Sequence, residues 1–205
     1  GFYRMQVSNQ IFVDVNNDGV YNTVDGDLPL AGAQVQLFTG NGLVEIRVGP
    51  DGILGTPDDA LGGVTTLVDG QYLFSGLPAG NYVVRVTPPP GYASAADVNA
   101  DTTTPNNNVN HNDNGIGVGT GQVSSNSVAL VPGVVGASTT VTNSTGTTQN
   151  PSMDFGFTLT NGFLKTIVGT NATFTTGANV AIGEIVTYQI TVDVQAGVAM
   201  NNVVV

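Results

Sequence analysis

Asp69-Gly70-Gln71-Tyr72-Leu73-Phe74-Ser75-Gly76-Leu77-Pro78-Ala79-Gly80-Asn81-Tyr82-Val83-Val84-Arg85-Val86 is the stretch whose reading decides the fold. Successive side chains of an extended strand alternate between faces, so Tyr82, Val84 and Val86 fall on one side and Val83 and Arg85 on the other. Gln71–Ser75 and Asn81–Thr87 are therefore expected strands, and Asp69-Gly70 ahead of them carries hairpin-turn chemistry. Outward from here, short β-branched runs recur between Gly, Pro, Asn and Asp turns at about the 8–12-residue spacing of a sandwich or barrel. They predict further strands at Phe2–Val7, Gln10–Val13, Ala33–Phe38, Gly42–Val48, Gly63–Val68, Ser127–Val131, Ser152–Leu159, Phe163–Val168, Ile185–Val194 and Asn202–Val205. Helical periodicity is almost absent, and the expected class is all-β.

Composition narrows the partners. Of 205 residues, 28 are Gly, none is Cys or Trp, and 9% are charged, against about 25% in an ordinary globular domain. Polar character comes instead from Asn, Thr, Ser, Gly and Gln, as in secreted β-proteins. The 40% hydrophobic content, arranged in alternating runs, can build a core, which argues against charge-driven disorder. The net charge is −11, with Arg4, Arg47, Arg85 and Lys165 as the basic side chains. Such a chain repels phosphate backbones, so nucleic acid is not an expected partner. The basic cluster that an anionic membrane surface attracts is missing, and no apolar run approaches the ~18 residues of a membrane span. Without cysteine, disulfide staples and thiol chemistry are excluded.

The acids are unevenly placed. Ten of the fifteen fall in three loops: Asp14, Asp18, Asp25 and Asp27; Asp51, Asp58 and Asp59; Asp97, Asp101 and Asp113. Carboxylates crowded on a short loop repel each other unless a hard cation neutralises them, and calcium takes about 6–8 oxygens from carboxylates, amides and carbonyls. Asp14-Val15-Asn16-Asn17-Asp18-Gly19-Val20 places oxygen side chains at the first, third and fifth loop positions, a tight-turn Gly next and the Val20 carbonyl after it. That is the first half of an EF-hand loop. Asp25 falls at the twelfth position by strict count, and Asp27 two residues further on could replace or join it. The flanking runs Gln10–Val13 and Ala33–Phe38 are strand-like, so a calcium sensor opening a helical groove is not expected. In the second loop, Asp51 converges with Asp58 and Asp59 if the Gly55 turn folds back. The third set is Asp97 and Asp101 with Asn112 and Asp113. An Asx-rich turn satisfied by its own hydrogen bonds is the plain alternative for each loop.

Several pieces of the chain, in this order and spacing, resemble the SdrD B-like repeat of bacterial surface proteins over about residues 8–159. They are Ile11-Phe12-Val13-Asp14-Val15-Asn16-Asn17-Asp18-Gly19, Leu28-Pro29-Leu30-Ala31-Gly32-Ala33, residues 69–84, Pro90-Gly91-Tyr92, Asn112-Asp113-Asn114-Gly115 and Asp154-Phe155-Gly156-Phe157. The resemblance implies a prealbumin-like (Cna B-type) β-sandwich, repeated in tandem in a surface stalk or fibre and stiffened by calcium in long inter-strand loops. Its loop ligands fall on Asp14, Asn16 and Asp18, and its acid before the Gly-Leu-Ala-Gly-type turn falls on Asp27. The loop here is two residues longer, which leaves Asp25 against Asp27 open. The tail from Leu164 is similar to Ig-like repeats of adhesins and pilins, some of which form Lys–Asn isopeptide bonds. Lys165 and Glu184 would supply the lysine and the acid; Asn201 and Asn202 are poorly placed for the third role.

The expected organisation has three parts. Residues 1–7 close an upstream module, because Gly1-Phe2-Tyr3 echoes Gly156-Phe157-Thr158. Residues 8–160 form the calcium-binding sandwich. Residues 161–205 begin an Ig-like module with too few strands to close it. The single histidine, His111, sits in an Asn-rich loop without a nucleophile motif, and catalysis is not expected. A carbohydrate- or ligand-binding sandwich is the alternative, weakened by the lack of Trp. The favoured reading is a structural repeat of a secreted bacterial surface, adhesin or filament protein. It would hold two or three calcium ions outside the cell and pair strands with adjacent repeats or identical subunits.

Overall fold

The computed structural model describes residues 4–96, 111–117, 121–131, 149–150, 152–160, 163–171 and 183–192. Among them every regular element is a strand: β1 Met5–Val13, β2 Leu28–Pro29, β3 Gln34–Thr39, β4 Val64–Thr65, β5 Gln71–Leu77, β6 Gly80–Thr87, β7 Tyr92–Ser94, β8 Val123–Ser124, β9 Val128–Leu130, β10 Gln149–Asn150, β11 Phe155–Leu159, β12 Phe163–Thr170 and β13 Val186–Val192. The chain divides into two compact units, Gly1–Leu159 and Thr160–Val205.

The larger unit is built on β1. Its neighbours on one flank are β5 and then β2, both antiparallel, since Ile11 donates to Gly70 O at 2.8 Å and accepts from Leu30 N at 2.8 Å. On the other flank run β10 and β11, both parallel to β1, and β7 closes that side against β11. The second sheet is antiparallel, in the order β4, β3, β6, with β8 and β9 both on the far side of β6. The facing sides of the two sheets share one core. Met5, Val7, Ile11, Tyr72, Phe74, Phe155 and Phe157 come from the first sheet, and Val35, Leu37, Tyr82, Val84, Val86, Val128 and Leu130 from the second. The alternation read in residues 82–86 holds: Tyr82, Val84 and Val86 enter the core, while Arg85 stacks over Phe38 on the opposite face, 4.1 Å from the ring centroid.

Five expectations are corrected. Residues 5–7 do not close a preceding module; they run without interruption into β1, and Met5 and Val7 are fully buried in this unit's own core. The Ser8-Asn9 pair, which reads as a break, continues the ladder opposite Leu73 and Tyr72. Asp69-Gly70 makes a turn, with Gly70 N donating to Leu67 O at 2.9 Å, but not a hairpin: β4 before it pairs with β3, and β5 after it pairs with β1. The glycine is needed because a Cβ there would collide with the Ile11 carbonyl oxygen, the Gln10 side-chain amide and the Leu30 N. The expected strand at Gly42–Val48 is reduced to a single bridge, Phe38 to Glu45, and that at Gly63–Val68 to Val64–Thr65. The expected strand at Asn202–Val205 and the first three residues of Phe2–Val7 lie outside or at the margin of the described residues.

In the second unit the described residues hold the antiparallel pair β12–β13, from Phe163 opposite Val192 to Thr170 opposite Val186. Two strands alone are marginal in water and need further packing partners.

Candidate functional site

The first acidic loop connects β1 to β2, and that pairing shapes it. Val13 lies opposite Leu28 in the antiparallel ladder, so the next residue on each side, Asp14 and Asp27, meet across the loop's base. Both side chains are 1% exposed. Asp14 is anchored by its own N–H to Phe157 O at 2.8 Å, while its carboxylate accepts from Gly19 N at 2.7 Å and Asp18 N at 3.2 Å. Asp27 accepts from Val15 N and Asn22 N, each at 2.8 Å. Burial raises the Asp14 carboxyl above its ordinary value and the Asp27 charge adds to the rise; backbone N–H donors oppose it. Asp18 accepts from Val20 N at 2.9 Å and from Asn16 Nδ2 at 3.0 Å. Asp25 sits at an exposed turn, bonded to Asn22 Nδ2 at 2.6 Å. The fold thus brings Asp27, not Asp25, to Asp14. The candidate ligands of the loop, Asp carboxylates and the Asn16 amide oxygen, are all oxygens, which suits a hard cation. Among the described residues, however, no three acidic or histidine side chains gather closely enough to hold a metal by themselves. Amide and backbone oxygens would have to complete the set.

The second loop is arranged differently. Asp51 accepts from Ile53 N at 2.9 Å, Asp58 from Thr56 Oγ1 at 2.6 Å, and Asp59 from Gly55 N at 3.0 Å and Thr56 N at 3.3 Å. Each acid closes a local turn, and the expected convergence of Asp51 with Asp58 and Asp59 is not found. No strand pair lies beneath this loop; its ends are joined by one backbone bond, Gly49 N to Ala60 O at 3.2 Å.

Of the third set, Asp97 and Asp101 lie outside the described residues. Asn112 and Asp113 are buried, in a short segment that packs against the first loop. Asp113 N donates to Gly19 O at 2.8 Å, Tyr21 N donates to His111 O at 2.7 Å, and Val20 bridges Asn112. The Tyr21 ring stands between Phe12, at 5.3 Å, and His111, at 5.5 Å. Asp113 Oδ1 accepts from Gly115 N at 2.7 Å.

Behind that segment is Asp154, whose role was not read from the sequence. Its side chain is fully buried and accepts three donors: Gln10 N at 3.2 Å, Asn9 Nδ2 at 3.0 Å and His111 N at 2.8 Å. Its backbone exchanges bonds with Asn114, donating to Oδ1 at 2.9 Å and accepting from N at 2.8 Å. Burial pushes its carboxyl up to about 7 in spite of the three donors. Tyr72, which donates to Met153 O at 2.8 Å, is also raised, first by burial and then by the Asp154 charge. The available signal was an acid set among Met153, Phe155 and Phe157, in a run otherwise suited to the core.

Lys165 and Glu184 are not brought together. Lys165 lies opposite Ile190, whereas Glu184 precedes β13 at its other end. Four strand steps, at about 3.3 Å each, already separate Ile190 from Val186, beyond the reach of a lysine.

Two packed β-sheets, with a long acidic loop closed at its base by a strand pair, define a β-sandwich module. The chain belongs to the SdrD B-like domain family, whose profile matches residues 5–134. That family is structural rather than enzymatic. Colossin-A of Dictyostelium discoideum is 36% identical over 86 residues, 42% of this chain and 1% of the relative's length. Two solved structures are loosely similar. GBS52, the minor pilin of Streptococcus agalactiae, has a TM-score of 0.40 at 14% identity, over 77% of this chain and 45% of that one. The group B streptococcus pilus 2b backbone protein has a TM-score of 0.36 at 19% identity, over 74% of this chain and 40% of that one. At these scores neither structure bears on what this chain does.

Proposed function

We propose that this chain is a calcium-stiffened structural module of a secreted surface or fibre protein, acting as a rigid extracellular spacer or polymer unit. The observation that carries it is that Asp14 and Asp27, both buried, stand opposite each other at the base of the loop, so that each faces a like charge. Taking two carboxylates out of water together costs several kcal/mol unless a counter-charge joins them. A calcium ion supplies that charge and takes oxygen ligands. Asp14 and Asp27 would hold it, with the Asn16 amide oxygen and the Val20 carbonyl completing the set and Asp18 joining once it leaves the bonds it makes with Val20 N and Asn16 Nδ2. Two or three ions per chain remain the expectation. Filling the second loop requires Asp51, Asp58 and Asp59 to leave the turns they now close.

A cation that binds only the folded form stabilises it by mass action, and extracellular calcium at about millimolar concentration fills even modest sites. Membership of the SdrD B-like family supports placing the module on the outside of a cell. Joining to adjacent repeats or identical copies by strand pairing belongs to the same reading.

Thermal unfolding with millimolar calcium and with excess EDTA, alongside isothermal titration, tests it. A midpoint that falls on chelation, with two or three ions bound, is the expected result. An unmoved midpoint and flat titration would reduce the acidic loops to solvated turns.

A further inference from the structure

We propose that Asp154 is a positioning residue for the first acidic loop, pinning the 111–114 segment against β1 so that this segment holds Gly19–Tyr21 in place. The inference rests on the calcium reading above and names the part of the fold that prepares that site. The linkage is continuous. The Asp154 carboxylate binds β1 through Asn9 and Gln10 and the segment through the His111 N–H, and its backbone binds Asn114 on both sides. The segment in turn accepts from Tyr21 N and donates to Gly19 O. Gly19 N is itself one of the donors to the Asp14 carboxylate, so the segment reaches the loop at the turn that orients Asp14.

Two features make Asp154 the point of control. Its two oxygens together accept three N–H donors, one on Oδ1 and two on Oδ2, a capacity a side-chain amide lacks. It also opens β11, which lies beyond the residues matched by the family profile and whose Phe157 carbonyl holds Asp14 N. A strand more than a hundred residues downstream thus anchors the loop's first acid directly and its turn through Asp154. Removal of an outer-shell partner that orients metal ligands commonly weakens metal binding about 10–100-fold.

The test uses Asp154→Asn in the full chain, with calcium titration and amide hydrogen exchange followed at Tyr21 and Asp113 in metal-free protein. An amide keeps the shape but turns an NH2 toward a donor. The expected result is calcium affinity at the first loop lowered about tenfold, with faster exchange at both amides. Asn9→Ala removes one of the three donors from a half-buried position and shows the same pair of changes in smaller degree, should Asp154→Asn fail to fold. Affinity within about twofold of wild type in the variants overturns the proposal, whatever the exchange shows. If wild-type protein binds no calcium, the metal reading fails by itself. Exchange then decides the positioning role: faster at Tyr21 and Asp113 sustains it, and unchanged removes it.

Discussion

The first and second acidic loops have similar composition and opposite environments. Asp14 and Asp27 are sealed at 1% exposure, whereas Asp51 and Asp58 are exposed and satisfied within their own turns. The difference comes from what lies beneath. The first loop springs from a strand pair whose register sets its end residues opposite each other, and the 111–114 segment covers it. The second is closed only by the Gly49 N to Ala60 O bond, and each Asp accepts from a donor within its own turn. Acid density therefore identifies loops that could hold a cation, while strand register decides which of them is under electrostatic load without one.

The largest expected effect probes that load by pH. Asp154 has a folded value of about 7 against an ordinary 3.8. Its folded-state value is raised, so its contribution is fully present below about pH 4 and is lost as pH rises through about 7. The size is on the order of 4 kcal/mol at about 1.4 kcal/mol per pKa unit. The Asp14 shift has the same direction. Urea melts in EDTA should show the protein more stable at about pH 5 than at about pH 8, and Asp154→Asn should flatten the slope. A slope equal in both proteins would mean that Asp154 is not the group responsible.

Calcium comes next. At a free concentration about a hundred times the dissociation constant, binding adds about 3 kcal/mol. Asp14→Ala or Asp27→Ala should abolish most of that gain, while Asp25→Ala, at the exposed turn, should leave it nearly whole. Equal losses from Asp25→Ala and Asp27→Ala would show that burial does not pick the ligand. A double-mutant cycle on Asp14→Asn and Asp27→Asn sharpens the same point. The coupling should be repulsive in EDTA and attractive in calcium, by about 1–2 kcal/mol either way. A coupling whose sign ignores calcium would leave no ion between them.

Local chemistry made much of this legible. Alternation in residues 82–86 depends on neighbours in sequence, and it held; the Asp14–Val20 spacing likewise acts through neighbours, closing a turn on the Asp14 carboxylate. What failed depends on distant chain. Ser8-Asn9 looks like a break because its polar groups need partners, and Asn9 finds one in Asp154, 145 residues away. Asp69-Gly70 announces a turn but cannot say that the chain changes sheets there. Asp154 reads as the tail of a motif because its donors come from β1 and from residue 111. The choice between Asp25 and Asp27 likewise needed the β1–β2 register, which two residues at Leu28–Pro29 are too short to announce.

The smallest effect belongs to the second loop. Asp59 accepts two backbone N–H groups at its half-buried turn, and losing such hydrogen bonds costs about 1 kcal/mol. Asp59→Ala should therefore lower the unfolding midpoint slightly and equally in calcium and in EDTA. That equality is the informative part. If the loss grows in calcium and one ion disappears from the titration, the loop does rearrange around a cation, Asp51 and Asp58 must leave their turns to reach it, and the contrast with the first loop becomes one of preorganisation. If the loss is the same in both, the acids of residues 51–59 are turn residues and the module's calcium response rests on loops that the strands close.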